Sequence, residues 1–177
     1  NVGVGYRAGY VVSTGVRNVL IGSLAGDALT DADDNTALGD NALGSDTLGS
    51  RSVAVGQGAL FAQNFTTAAD ASNTAVGYNA GSSIATGANN TLMGSIAGDA
   101  LTVGERNVAI GYNSLSDDTK GSRNVAIGDS ALGDQNFTTA TNSYNTAVGF
   151  FAGGTVSTGT GNTLIGGLAG DSITVGS

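Results

Sequence analysis

The sequence predicts an all-β protein, a parallel β-solenoid with one coil of 17 or 21 residues per repeat. Three observations carry that expectation. A short motif closing on Gly recurs ten times, its spacing takes only two values, and its apolar positions alternate with period two rather than 3.6.

The motif is Asn, a β-branched residue, a small or apolar residue, an aliphatic residue and Gly. It reads NVLIG from Asn18, NTALG from Asn35, NTAVG from Asn73, NTLMG from Asn90, NVAIG from Asn107 and Asn124, NTAVG from Asn145 and NTLIG from Asn162. Ser52 stands in the Asn place of a further copy, and NVGVG opens the chain. The closing glycines are Gly5, Gly22, Gly39, Gly56, Gly77, Gly94, Gly111, Gly128, Gly149 and Gly166, so three steps of 17 and one of 21 make a super-repeat of 72. Residues 1–72 align on 73–144 without a gap, and residues 145–177 begin a third copy. The organisation is therefore two four-coil super-repeats and part of a third. Because it begins at Asn1 and stops inside the pattern, the chain reads as a segment of a longer fibre.

Seventeen residues are too few for a helix pair, whose repeats run to about 33–47. Two short strands per coil, joined by Gly-rich turns, fit the length. Equivalent strands then stack in parallel at about 4.8 Å. Val19, Thr74, Val108 and Thr163 occupy the same strand face as the position represented by Ile21, Val76, Met93 and Ile127. The opposite face carries Ala37, Ala54, Ala75, Ala109, Ala126 and Ala147, or Leu20, Leu92 and Leu164. Both faces are apolar, so both should be covered. The expectation is that the β-branched face lines the lumen while the small alanines meet neighbouring chains, with one Leu every fourth coil filling gaps between them.

Composition narrows the function classes. Gly supplies 30 of 177 residues, and Pro, Cys, Trp and His are absent. That removes disulfides, thiol chemistry, His-based metal sites and the usual general base. A net charge of −8 opposes binding to a phosphate backbone. No apolar run approaches the length of a membrane helix, so no membrane insertion of this segment is expected.

NVAIGDSALG and NTAVGYNAG resemble the head repeats of trimeric autotransporter adhesins, the YadA-like family, which also occur in tail-fibre proteins of bacteriophages. The resemblance covers all ten copies. It implies a left-handed parallel β-roll, a homotrimer, and a place outside the cell on a surface fibre or adhesin. The coils here are longer than the family's, so the extra residues should form outward loops.

The Asn column (Asn18, Asn35, Asn73, Asn90, Asn107, Asn124, Asn145, Asn162) reads as a structural amide ladder, with Ser52 replacing only part of it. Both complete 21-residue coils carry QNFTTA, which makes Asn64, Phe65, Asn136 and Phe137 candidate partner-contact residues. Asn64, Asn136 and Asn89 also begin N-x-T sequences. Tyr6, Tyr78 and Phe150 occupy one super-repeat position and suit either stacking on sugar rings or covering a neighbouring turn. Asp31, Asp33 and Asp34 suggest calcium ligands, but the next copy has Val103, Glu105 and Arg106, so a solvated acidic turn is the better reading. Asp46 and Asp118 recur, as structural residues do. No catalytic residue, cofactor or metal is expected, and the chain reads as a non-enzymatic protein. The leading expectation is a phage-type tail-fibre shaft on a virion, presenting a distal receptor-binding tip for host attachment. The alternative is a bacterial cell-surface adhesin head whose loops touch matrix protein or glycan.

Overall fold

The computed structural model describes residues 1–176. Among the described residues there is no helix. The chain is a parallel β-solenoid of ten coils. Its one large sheet runs through Val2–Val4 (β1), Val19–Ile21 (β2), Thr36–Leu38 (β3), Val53–Val55 (β5), Thr74–Val76 (β7), Thr91–Met93 (β8), Val108–Ile110 (β9), Val125–Ile127 (β11), Thr146–Val148 (β13) and Thr163–Ile165 (β14). Every pairing is parallel and in register, so Ala109 opposes Ala126 and Ala126 opposes Ala147. Two small parallel pairs flank the long loops: Gly49–Ser50 (β4) with Ala69–Asp70 (β6), and Gly121–Ser122 (β10) with Thr141–Asn142 (β12).

The sheet has one strand per coil, not two. The apolar segment after each closing Gly is a turn, closed by bonds such as Ala97 N–H to Gly94 carbonyl at 3.4 Å. Its corners use left-handed backbone even at non-Gly residues. Leu43, Leu60, Leu115 and Leu132 sit at φ 50–54 and are fully buried. The left-handed conformation costs about 1–2 kcal/mol per residue, which burial of a Leu side chain offsets by a similar amount.

The closing glycines stack directly on one another with φ from 123° to 142°. A Cβ on Gly111 would stand 2.5 Å from the carbonyl oxygen of Gly128. Backbone-to-backbone proximity, not turn chemistry alone, therefore fixes this column as Gly.

The strand faces are the reverse of the sequence expectation. The central strand residues point into the chain's own lumen: Ala37, Ala54, Ala75, Ala109, Ala126 and Ala147 are fully buried, as are Leu20 (1% exposed) and Leu92. The β-branched flanks face outward. The lumen of so short a coil is narrow, and this is why the inner face is small. Leu20, Leu92 and Leu164 fit where the lumen is widened by glycines: a Cβ on Gly9 or Gly26 would strike Leu20, and one on Gly81 or Gly98 would strike Leu92. At Ala37, Ala54, Ala109 and Ala126 the same turn position carries Leu43, Leu60, Leu115 or Leu132, whereas Ala75 and Ala147 share their coils with Gly81 and Gly153, beside which Leu92 and Leu164 of the next coil lie. Each coil thus has at most one large residue in these two core columns, and a Leu at a strand centre also fills the space left by the Gly of the preceding coil.

Candidate surface loops and the buried polar ladder

A third core column lies seven residues after each closing Gly. It reads Val12, Leu29, Asp46, Gln63, Ile84, Leu101, Asp118, Gln135, Val156 and Ile173. Two apolar rungs are followed by a buried Asp and a buried Gln in each super-repeat. Asp46, Gln63, Asp118 and Gln135 are all fully buried. Burial on that scale requires hydrogen-bonded partners, and the residues supply them to one another. Gln63 Nε2 donates to Asp46 Oδ2 at 2.5 Å, and Gln135 Nε2 to Asp118 Oδ2 at 2.6 Å. The other carboxylate oxygen takes backbone N–H groups: Gly49 and Phe65 on Asp46 Oδ1, each at 3.0 Å, and Gly121 (2.9 Å) and Phe137 (3.2 Å) on Asp118 Oδ1. The carboxylates therefore anchor the start of each long loop. Burial pushes the Asp118 carboxyl up from the ordinary range.

The Asn column continues this network. Each side-chain Oδ1 accepts the backbone N–H of the next Asn: Asn35 on Asn18 at 2.9 Å, Asn90 on Asn73 at 2.9 Å, Asn107 on Asn90 at 3.0 Å, Asn124 on Asn107 at 2.9 Å, Asn145 on Asn124 at 3.1 Å and Asn162 on Asn145 at 2.9 Å. Nδ2 donates to a carbonyl 14 residues on, as from Asn18 to Ala32, Asn35 to Gly49 and Asn73 to Gly87. The left-handed residue at this corner is not the Asn but the one before it, for example Arg17, Asp34, Asn89 and Arg106. At Ser52 the backbone N–H still donates to Asn35 Oδ1 at 2.8 Å, but the column has no amide to pass on. Gln63 spans the break: its Nε2 reaches Ser52 Oγ at 3.2 Å and its Oε1 accepts from Asn73 Nδ2 at 2.8 Å.

The QNFTTA loops separate by exposure. Asn64 and Asn136 are exposed, and so are Thr66 to Ala68 and Thr138 to Ala140. The aromatic rings turn inward. Phe137 is 6% exposed, which removes it from the surface, and Phe65 is half-buried with its ring against Gly49. Thr47 Oγ1 lies 2.9 Å from the carbonyl of Phe65, and Thr119 Oγ1 lies at the same distance from that of Phe137. Asn64 and Asn136 thus stand on pinned backbone.

The acidic turn is engaged between coils. Asp33 Oδ1 accepts from the Val16 N–H at 2.8 Å, Asp31 Oδ1 from Thr14 Oγ1 at 2.6 Å, and Asp34 pairs with Arg17 at 2.5 Å. The Arg17 hydrogen bond draws the Asp34 carboxyl below the ordinary range. This surface pair is well solvated, so it adds little to stability.

The outer sheet face remains. Val53, Val55, Val76, Val108, Ile110, Val125, Ile127 and Val148 are half-exposed, and Leu38 and Met93 more so, at 45% and 42%. These side chains keep part of their surface open to solvent in the single chain. Comparison with protein-family models, with curated proteins and with solved structures finds no match to this chain.

Proposed function

We propose that the chain is a segment of a homotrimeric fibre, a non-enzymatic shaft that holds a receptor-binding tip away from a virion in the manner of a tail fibre. The observation that carries this reading is the outer sheet face. Parallel sheets are normally covered on both sides. Here one side is closed by the chain's own turns, while the other presents a row of Val, Ile, Leu, Met and Thr along ten rungs. Copies of the same chain are the natural cover, because only an identical repeat matches the rung spacing along the whole length. The number three and the left-handed winding rest on the resemblance of NVAIGDSALG and NTAVGYNAG to YadA-like heads.

A shaft needs stiffness and little chemistry. In-register backbone bonds and a continuous amide ladder supply the first, and the absence of His and Cys suits the second. An extracellular place follows from this role. A second reading, a cell-surface adhesin head, is favoured by the exposed tips around Asn64 and Asn136, repeated once per super-repeat for multivalent contact.

Sedimentation equilibrium tests the assembly. A mass of three chains supports the reading, and a stable single chain at micromolar concentration overturns it. Electron microscopy of the intact particle then separates virion from cell envelope.

A further inference from the structure

We infer that Tyr78, Ser95, Tyr112, Asp129 and Phe150 form a binding track for an uncharged, extended β-1,4-linked polysaccharide. The inference goes beyond the fibre reading and does not rest on it.

These five residues each follow a closing Gly and occupy consecutive rungs. The backbone proves the register: the Ile96 N–H donates to the Tyr78 carbonyl, Asn113 to Ser95, Ser130 to Tyr112 and Phe151 to Asp129, at 2.8 to 3.2 Å. The row therefore alternates aromatic and polar side chains along the fibre axis. The three rings are well exposed, at 53% for Tyr78, 56% for Tyr112 and 60% for Phe150. Their backbone is held by the coil stack, so the platform is ordered before any ligand arrives.

Three properties select the ligand. Two coils span about 9.6 Å at the parallel stacking distance, close to the advance of one disaccharide in an extended β-1,4-linked chain. Successive sugars in such a chain face opposite ways, so the same C–H face returns every second ring and meets an aromatic every second rung. Ser95 and Asp129 lie between the rings, where sugar hydroxyls need hydrogen-bond partners. The net charge of −8 disfavours polyanions and leaves neutral glycans. A protein partner would call for a contiguous apolar centre, which Ser95 and the exposed Asp129 interrupt. The first super-repeat contains its own control: the same column there reads Tyr6, Ser23, Asp40 and Gln57, with a single ring.

Titration calorimetry of the intact segment with cellohexaose and chitohexaose, with maltohexaose as the α-linked comparison, tests the track. A saturable isotherm with a β-linked hexasaccharide, weaker with the matching disaccharide and absent with maltohexaose, is expected. Tyr112→Ala should weaken it about tenfold, with unchanged circular dichroism, whereas Tyr6→Ala should leave it intact. No binding of either β-linked hexasaccharide by the unaltered chain overturns the proposal. So does equal binding of maltohexaose, or an affinity indifferent to Tyr112→Ala.

Discussion

Gln135 donates from Nε2 to Oδ2 of Asp118 across 2.6 Å, inside a core column whose other residues, apart from the equivalent Asp46–Gln63 pair, are Val, Leu and Ile. The pair fixes a direction. A carboxylate only accepts, so Gln135 must turn its Nε2 toward Asp118 and its Oε1 away. That Oε1 accepts from Asn145 Nδ2 at 2.7 Å, which leaves Asn145 Oδ1 to accept the N–H of Asn162. One buried acid thus orients the amides of the next two coils.

Asp118→Asn should break this orientation. The new amide either presents Nδ2 to Gln135, donor against donor, or gives up the N–H groups of Gly121 and Phe137. Either outcome leaves buried polar groups unpaired, at a cost of about 1–3 kcal/mol. Urea unfolding should show that loss, and Asp129→Asn on the exposed surface should show none. Equal midpoints for the two variants would remove the orienting role.

Stability should rise on mild acidification. Burial holds the carboxyls of Asp118 and Asp99 above the ordinary value of 3.8. The folded chain therefore keeps those protons at a pH where the unfolded chain has released them. Their contribution is complete below the unfolded value and is lost as pH rises through the folded one. Asp34 acts in the opposite direction, but its exposed pair with Arg17 is screened by salt. Scanning calorimetry in moderate salt should show these two carboxyls adding to Tm as the pH is lowered toward 3.8, with a smaller gain for Asp118→Asn. A Tm that falls on acidification, with the same slope in both proteins, would contradict this.

The period, the Gly column and the Asn column were legible because each is a single residue type at fixed spacing. The direction of the strands was not. Each strand has three residues, and both of its faces are apolar, so period two separates the faces without saying which is inside. Size held the answer: a coil of 17 residues leaves room for Ala, or for Leu only opposite Gly, as with Leu92 between Gly81 and Gly98. In the sequence Gln63 and Gln135 stand at the head of the QNFTTA loop motif. Alignment seven residues after the closing Gly places them with Val12, Leu29 and Ile84, and that shared column was the signal for burial.

The Gly column should be intolerant where the backbones touch. Gly111→Ala brings a methyl to 2.5 Å from the Gly128 carbonyl oxygen and forces two coils apart. Gly161 also has positive φ, but a Cβ there meets nothing within 4 Å, so Gly161→Ala should cost only about 1–2 kcal/mol of left-handed strain. Thermal unfolding that ranks the two equally would show that the close approach is unimportant.

The exchange of large and small residues between core columns can be tested by a swap. Ala109→Leu places a larger side chain beside Leu115, and overpacking of this kind costs about 1–3 kcal/mol. Adding Leu115→Gly reproduces the pairing seen at Leu92 and Gly98 and should recover part of that loss. A double variant less stable than the sum of the two singles would refute the complementarity.

Inner and outer faces of one strand should respond differently to charge. Ala126 is fully buried in the lumen, so Ala126→Asp leaves an unpaired carboxylate there and should abolish the β-sheet signal in circular dichroism. Ile127 is the next residue, half-exposed on the outer face. If copies of the chain cover that face, Ile127→Asp keeps the sheet signal and lowers the sedimented mass to a single chain. Loss of folding in both variants would mean that the outer face is needed for the coil itself, and an unchanged mass for Ile127→Asp would place the contact between chains elsewhere.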